Sequence, residues 1–194
     1  MNIERPKSNQ PIPENAQKVF DGIIFDIYQW QQEQFDGTFK TFEKAKRPDT
    51  VVVFPVLNDG KIILTKQEQP GRGSFIAATG GMMDRGEDVL SAAKRELLEE
   101  SGYEADEFIL WDAQHPASKI DYVVYTFIAK GLKKVSELKL DSGERIELMP
   151  VTLDELIAIG TQSGFNEPEI VHYLYEAKID PNAKKKLEEL FKPI

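Results

Sequence analysis

The chain has 194 residues, a formal net charge of −9, 41% apolar residues, two histidines and no cysteine. That length suffices for one domain, or one domain with a small appendage, and for a core that needs no cross-links. The missing thiols exclude disulfide scaffolds, cysteine nucleophiles and cysteine-bound zinc, and two histidines cannot make a three-histidine metal site. The acidic balance lacks the positive field that phosphate backbones require, so nucleic acid is not an expected partner. No run approaches the roughly eighteen apolar residues of a membrane span. Residues 1–17 hold no apolar stretch like a leader, so a cytoplasmic location is expected.

Residues 2–17 read as an extended arm, with Pro6, Pro11 and Pro13 opposing regular structure. Residues 19–30 have strand-like composition, and a second run over 38–45 follows the turn signal Asp36-Gly37, which suggests a hairpin or a pair of N-terminal strands. Residues 51–57 and 61–66 form strands around the Asn58-Asp59-Gly60 turn. Residues 67–74, with Pro70, Gly71 and Gly73, read as a loop, and 75–78, 122–129 and 146–149 as further strands. A helix is expected over 88–101, with Leu90, Ala93 and Leu97 on one side and Gly102 ending it. A second spans 153–159 behind the cap Thr152 with Glu155 three residues on, a third spans 168–176, and an amphipathic tail helix covers 182–191. Helices flanking a mixed sheet indicate an α+β or α/β/α layered domain. The expected division is an N-terminal, dimer-forming arm and strands over 1–49, a catalytic domain over 50–178 and a helical tail over 179–194.

The chemistry-bearing stretch runs from Gly81 to Tyr103. Glu96 and Glu100 lie four apart on one helical face, and Glu99 flanks the same surface. Like charges at that spacing repel, and a divalent cation with a taste for hard oxygen ligands removes the conflict. Gly80, Gly81 and Gly86 permit tight bends next to a helix N-terminus, and Arg95 sits among the glutamates where it can organise a carboxylate such as Glu87 or contact phosphate. The plainer reading of such a helix is a solvated acidic face.

The same stretch closely resembles the Nudix box: Gly, five residues, Glu, seven residues, Arg-Glu, an aliphatic residue, any residue, Glu-Glu, any residue, Gly and an apolar residue. Gly81, Glu87, Arg95, Glu96, Leu97, Glu99, Glu100, Gly102 and Tyr103 fill it without a gap. The resemblance implies an α/β/α sandwich with a mixed sheet and an N-terminal strand extension, and hydrolysis of a nucleoside diphosphate linked to another group. It implies Mg²⁺, with Mn²⁺ as a substitute, held by Glu96, Glu99, Glu100 and the Gly80 carbonyl. Gly81, Glu87, Arg95 and Gly102 are implied to hold the box together. Glu99, Glu100 and Arg95 are also counted, with Glu144, among the catalytic groups.

Further segments are similar to ADP-ribose pyrophosphatases: Thr41-Phe42-Glu43-Lys44, Arg47-Pro48-Asp49-Thr50-Val51, and residues 67–70. That subgroup implies a homodimer whose N-terminal strands complete the partner's site, with ADP-ribose as first substrate and GDP-mannose or another nucleoside diphosphate derivative as alternative. Tyr28 or Trp30 would stack on adenine, Arg47 and Arg72 would meet phosphate or ribose, and Met83, with Met82, would wall the site. Trp30 is equally a core or dimer aromatic. Glu144, in the loop before residues 146–149, is the expected base, with Glu147 and Asp141 as competitors. The chain departs from the subgroup in having Thr79-Gly80-Gly81 before the box, Gln69 where an Arg is common, and Pro116 a few residues early. His115 is expected as an exposed loop residue, Trp111 as a wall of the fold, and Lys184-Lys185-Lys186 as a solvated helix face.

Overall fold

The structure, a computed structural model, describes residues 3–140 and 142–194. Strand β4 (Thr50–Pro55) sets the pattern of the core. Val51 and Val53 face one way, Val52 and Phe54 the other, and all four are buried, as a strand covered on both faces requires. It pairs parallel with β10 (Val124–Lys134) and antiparallel with β7 (Thr79–Met82). Strand β8 (Tyr103–Gln114) closes the far edge, giving the mixed order β7-β4-β10-β8. A second, antiparallel sheet runs β11-β5-β6, from β11 (Arg145–Val151), β5 (Ile62–Gln69) and β6 (Arg72–Ala77).

Helix α1 (Val89–Ser101) covers one face, where Ala92, Ala93 and Leu97 meet Val51, Val53 and Phe127. Helices α2 (Leu153–Gly160), α3 (Val171–Ile179) and α4 (Pro181–Leu190) cover the other, where Leu156, Leu174, Leu187 and Phe191 meet Val52, Phe54 and Ile128. The fold is α+β, a helix–mixed sheet–helix sandwich. Because Leu187 and Phe191 join the same apolar cluster as Phe54, the tail helix is part of this packing. Trp111 meets Phe54 and Phe191 edge-on, at ring separations of 5.7 and 5.5 Å. Local caps fix the helix ends. Asp88 accepts from the Leu90 and Ser91 amides, and Thr152 and Glu155 form a reciprocal capping box. At Gly102, φ is 72° and a Cβ would lie 2.1 Å from the Ser136 carbonyl oxygen, so only glycine closes α1 there.

The N-terminal region is a separate four-stranded sheet, β1-β2-β3-β9, made of β1 (Gln17–Asp21), β2 (Asp26–Glu33), β3 (Phe39–Lys46) and β9 (Ile120–Asp121). Three expectations are corrected. The run over 19–30 is two strands, because Gly22 turns the chain and its amide donates to the Phe25 carbonyl at 3.0 Å. Residues 67–74 are mostly strand: Gln69 pairs with Arg72 across the Pro70-Gly71 turn, which confines the irregular backbone to two residues. The arm is tied down within its own chain. Arg5 pairs with Asp49 at 2.9 Å, and the Lys44 ammonium donates to the Gln10 carbonyl at 2.7 Å. His115 is half-buried rather than exposed, its Nε2 lying 2.9 Å from the Pro6 carbonyl oxygen.

Candidate active site

Helix α1 delivers the acidic residues because its apolar positions fix its rotation. With Ala93 and Leu97 locked into the core, Glu96 and Glu100 turn inward beside β7 and are 8% and 5% exposed, which for glutamates demands an explanation. Glu100 Oε2 accepts the Gly80 amide at 2.7 Å. Glu96 lies behind Gly81, where a Cβ would sit 2.5 Å from its Oε1. Gly80 leaves no room for a side chain either, since a Cβ would come within 2.2 Å of the Val51 carbonyl oxygen. The two glycines thus let the chain pass close to both carboxylates.

Arg95 ties this helix to the preceding loop. Its Nε and Nη2 reach the two oxygens of Glu87, each at 3.0 Å, and its Nη1 reaches Glu96 at 2.8 Å and Glu99 at 3.1 Å. Nη2 also donates to the Met82 carbonyl, and Glu87 accepts the Asp84 amide. The guanidinium fork holds Glu87 well below its ordinary pKa. Burial acts in the opposite direction on the two inner carboxylates. It raises Glu96 and pushes Glu100 up to about 8, with Glu144 and the neighbouring glutamates adding to the shift.

Among the described residues, no three histidine, aspartate or glutamate side chains converge into a ready metal cage. Glu99 is drawn toward Arg95 at the rim instead of joining Glu96 and Glu100. The donor set still suits a hard divalent cation: two carboxylates share one wall, and burial holds back the ionisation of both even though Arg95 reaches Glu96.

The other expected residues divide between two adjoining cavities. One, of about 480 Å³, is lined by Gly80, Gly81, Glu100, Glu144, Arg47 and Arg72. The other, of about 620 Å³, is lined by Tyr28, Met83, Glu87 and again Arg47, beneath the N-terminal sheet. Arg47 therefore stands between them. Its guanidinium lies 4.1 Å from the Tyr122 ring centre and hydrogen-bonds Thr50, while its buried Nε has no partner among the described residues. Arg72 is stacked 3.6 Å from the Phe75 ring centre and donates to Asn166. Trp30 is not brought to either cavity. It is 7% exposed, packs 5.0 Å from the Phe42 ring and donates its Nε1–H to Gln32, so it is a packing residue of the β2–β3 hairpin in this chain. Glu147 lies on β11 opposite Lys66, and Asp141 falls outside the described residues.

Sequence reasoning missed Glu167. It is 7% exposed, lines the cavity with Glu100 and accepts the Ala78 amide at 3.0 Å. The one signal for it was an acidic residue in the loop Asn166-Glu167-Pro168 ahead of a helix, which also reads as a surface turn.

The NUDIX domain pattern matches residues 46–175. The chain belongs to the Nudix family. It is 32% identical over 146 residues to an ADP-ribose pyrophosphatase of Bacillus subtilis (strain 168), covering 74% of this chain and 79% of that protein. It is 31% identical to a methanol dehydrogenase activator of Bacillus methanolicus, over 73% of this chain and 78% of that protein. A crystal structure of an ADP compounds hydrolase superposes with a TM-score of 0.71 at 20% identity, covering 97% of this chain and all of the other, which shows a common fold.

Proposed function

We propose that the chain hydrolyses the pyrophosphate bond of nucleoside diphosphate sugars, with ADP-ribose, giving AMP and ribose 5-phosphate, as first substrate. The observation that carries this reading is the pair of buried carboxylates, Glu96 and Glu100, held by α1 against the glycine run beside a cavity of about 480 Å³. The 32% identity to a protein named ADP-ribose pyrophosphatase supports the substrate. Bound Mg²⁺, or Mn²⁺ in its place, would be held by Glu96, Glu100, Glu99 and the Gly80 carbonyl, and would neutralise phosphate charge and lower the pKa of attacking water.

The chain's own residues supply the rest. Glu144, at the cavity wall, accepts the proton of the attacking water. Arg47 and Arg72 bind phosphate oxygens. Tyr28 stacks on the base in the adjoining cavity, whose wall includes Met83. Arg95 and Glu87 keep loop and helix in register.

The working unit is proposed as a homodimer joined through the N-terminal sheet, in the cytoplasm, without nucleic-acid or membrane partners. No described helix is long and apolar enough to cross a membrane. Gln69, at the cavity edge where related enzymes often carry Arg, keeps GDP-mannose and other nucleoside diphosphate derivatives in the comparison set. The relative named as a dehydrogenase activator favours a second reading, a regulatory Nudix fold without turnover.

One experiment separates these readings. ADP-ribose, NADH, GDP-mannose, ADP-glucose, diadenosine polyphosphates and nucleoside triphosphates are assayed in parallel with Mg²⁺ and Mn²⁺, and the products are identified. AMP with ribose 5-phosphate, at the highest kcat/KM of the panel, is expected. A preference of tenfold or more for another substrate, about 1.4 kcal/mol in transition-state binding, replaces ADP-ribose. Absence of product from every nucleotide selects the regulatory reading.

A further inference from the structure

Glu167 is not part of the box, yet it is placed like a member of the site. Ala78 and Gly80 lie two residues apart on the run from β6 into β7, within roughly 7 Å of each other. The first donates its amide to Glu167 and the second to Glu100. The two carboxyls therefore hang side by side on one edge and line one cavity. Glu167 Oε1 accepts the Ala78 amide. A 7% exposed carboxyl on a cavity wall is a group that a ligand in that cavity can reach.

The neighbouring wall shows what that would be. Gln67 spends its amide N–H on Thr65 at 3.0 Å and keeps its carbonyl oxygen, while Asn166 accepts from Arg72 and keeps its amide hydrogens. Gln69 completes a rim of neutral donors and acceptors. Arg47 and Arg72 also line this cavity and are its groups suited to phosphate, Arg72 being stacked on Phe75 and hydrogen-bonded to Asn166. Burial pushes Glu167 up to about 8, Glu169 and Glu100 act in the same direction, and the Ala78 amide and Arg72 oppose it. In either protonation state the carboxyl accepts a hydrogen bond from a hydroxyl. Mixed donors and acceptors of little net charge recognise hydroxyl groups; a phosphate calls for donors and positive charge.

We propose that Glu167 is a specificity-determining residue that binds a hydroxyl of the sugar beyond the pyrophosphate, rather than a phosphate or the metal. This rests on the nucleoside diphosphate sugar reading above. The test compares ADP-ribose with the methyl ester of ADP, which keeps adenosine and pyrophosphate but carries no sugar beyond them. Glu167→Ala removes the group, and Glu167→Asp withdraws the carboxyl by one methylene while remaining an acid. Glu167→Gln keeps an acceptor for the Ala78 amide and a donor toward the cavity.

The Ala and Asp variants are expected to lose about 30-fold or more in kcat/KM on ADP-ribose, mainly through KM, a loss at least about tenfold greater than on the methyl ester. The Gln variant should restore most of it. Equal losses on both substrates, a loss confined to kcat, or a weakened Mg²⁺-induced rise in melting temperature without substrate would each overturn the proposal. If wild-type protein cleaves the methyl ester but gains nothing from the sugar, the proposal alone fails. If it cleaves neither, the substrate reading fails with it.

Discussion

The acidic cleft and the N-terminal sheet are built on opposite terms. In the cleft the acidic groups are tied within the same chain: Arg95 reaches Glu87, Glu96 and Glu99, while Gly80 and Ala78 cap Glu100 and Glu167. In the N-terminal sheet the strands pair well, but the apolar side chains Val19, Phe20, Ile23, Ile24 and Phe25 remain on the surface, with Ile23 fully exposed. Ile24 and Phe25 also line the cavity that holds Glu100. The first region keeps its tension inside, as carboxyls whose ionisation burial opposes. The second leaves it outside, as apolar surface lacking a cover. Each shortage points to a different missing component.

The largest effect should come from breaking the acidic side. Glu100→Gln keeps the size and the acceptor for the Gly80 amide but removes the charge. Turnover at limiting Mg²⁺ is expected to fall by about two decades, near 2.7 kcal/mol, because charge stabilisation by the metal is lost. The metal-free variant should gain stability over wild type as pH rises toward 8, where the wild-type carboxyl must ionise while buried and the amide does not. Full activity would contradict the role assigned to Glu100. Next in size is Arg95→Ala, which strands three carboxylates. Since the guanidinium is partly exposed, at 28%, the expected loss is about 2 kcal/mol rather than the larger figure for a fully buried pair, read from the denaturant midpoint. Lysine at this position should restore little, lacking the fork that spans both oxygens of Glu87.

The pH response follows from the same tension. Burial raises Glu100 and Glu167 to about 8 from an ordinary 4.5. Between those values the folded protein holds protons that the unfolded chain has lost. The stability these groups lend is complete below 4.5 and declines as pH rises toward 8. Glu87 has the opposite sign: its lowered pKa lends stability above 4.5 that disappears as the pH falls through its folded value. Metal-free protein should therefore lose stability steadily between about pH 5 and pH 8. Glu167→Gln should remove part of that slope, as followed by chemical unfolding. A flat profile in wild type would show that the carboxyls ionise freely.

How much could be read in advance tracks the same division. The box was legible because its chemistry requires fixed residues at fixed spacing, and the helix bearing it carries its own cap, apolar stripe and terminal glycine. Strands 50–55 and 124–134 announced themselves through apolar runs that sheet burial demands. Strand β7 did not, since Thr-Gly-Gly-Met owes its pairing to β4 and the close approach of Glu96 and Glu100 rather than to propensity. Strand β8 was hidden by Glu104, Asp106 and Glu107, which place charge on an edge strand. Glu167 was invisible because its burial comes from contacts between segments 89 residues apart. Trp30 shows the converse: an aromatic suited to base stacking was taken by Phe42 across a hairpin.

The smallest expected change in chain stability sharpens the other half of the contrast. Ile23 sits in the turn between β1 and β2 and is fully exposed, so Ile23→Asp removes no core contact. Such a surface change should shift the unfolding free energy of the isolated chain by no more than about 0.5 kcal/mol. Its effect on association should be far larger, because a charge would have to be buried where two copies of the sheet meet. Wild-type protein should sediment near twice the 22.0 kDa chain mass, and the variant near that mass itself. Deletion through Phe42 should impair both association and substrate binding, for it also removes Tyr28, Ile24 and Phe25 from the cavity walls. The point variant separates these effects, since it keeps every cavity residue. If Ile23→Asp yields a folded monomer with a raised KM for ADP-ribose, the exposed apolar turn completes the site of a second chain. If it yields a monomer with unchanged KM, each chain binds substrate alone and the sheet serves assembly only. A wild-type monomer of full activity would remove the dimer from the account and leave the apolar turn without a partner of its own kind.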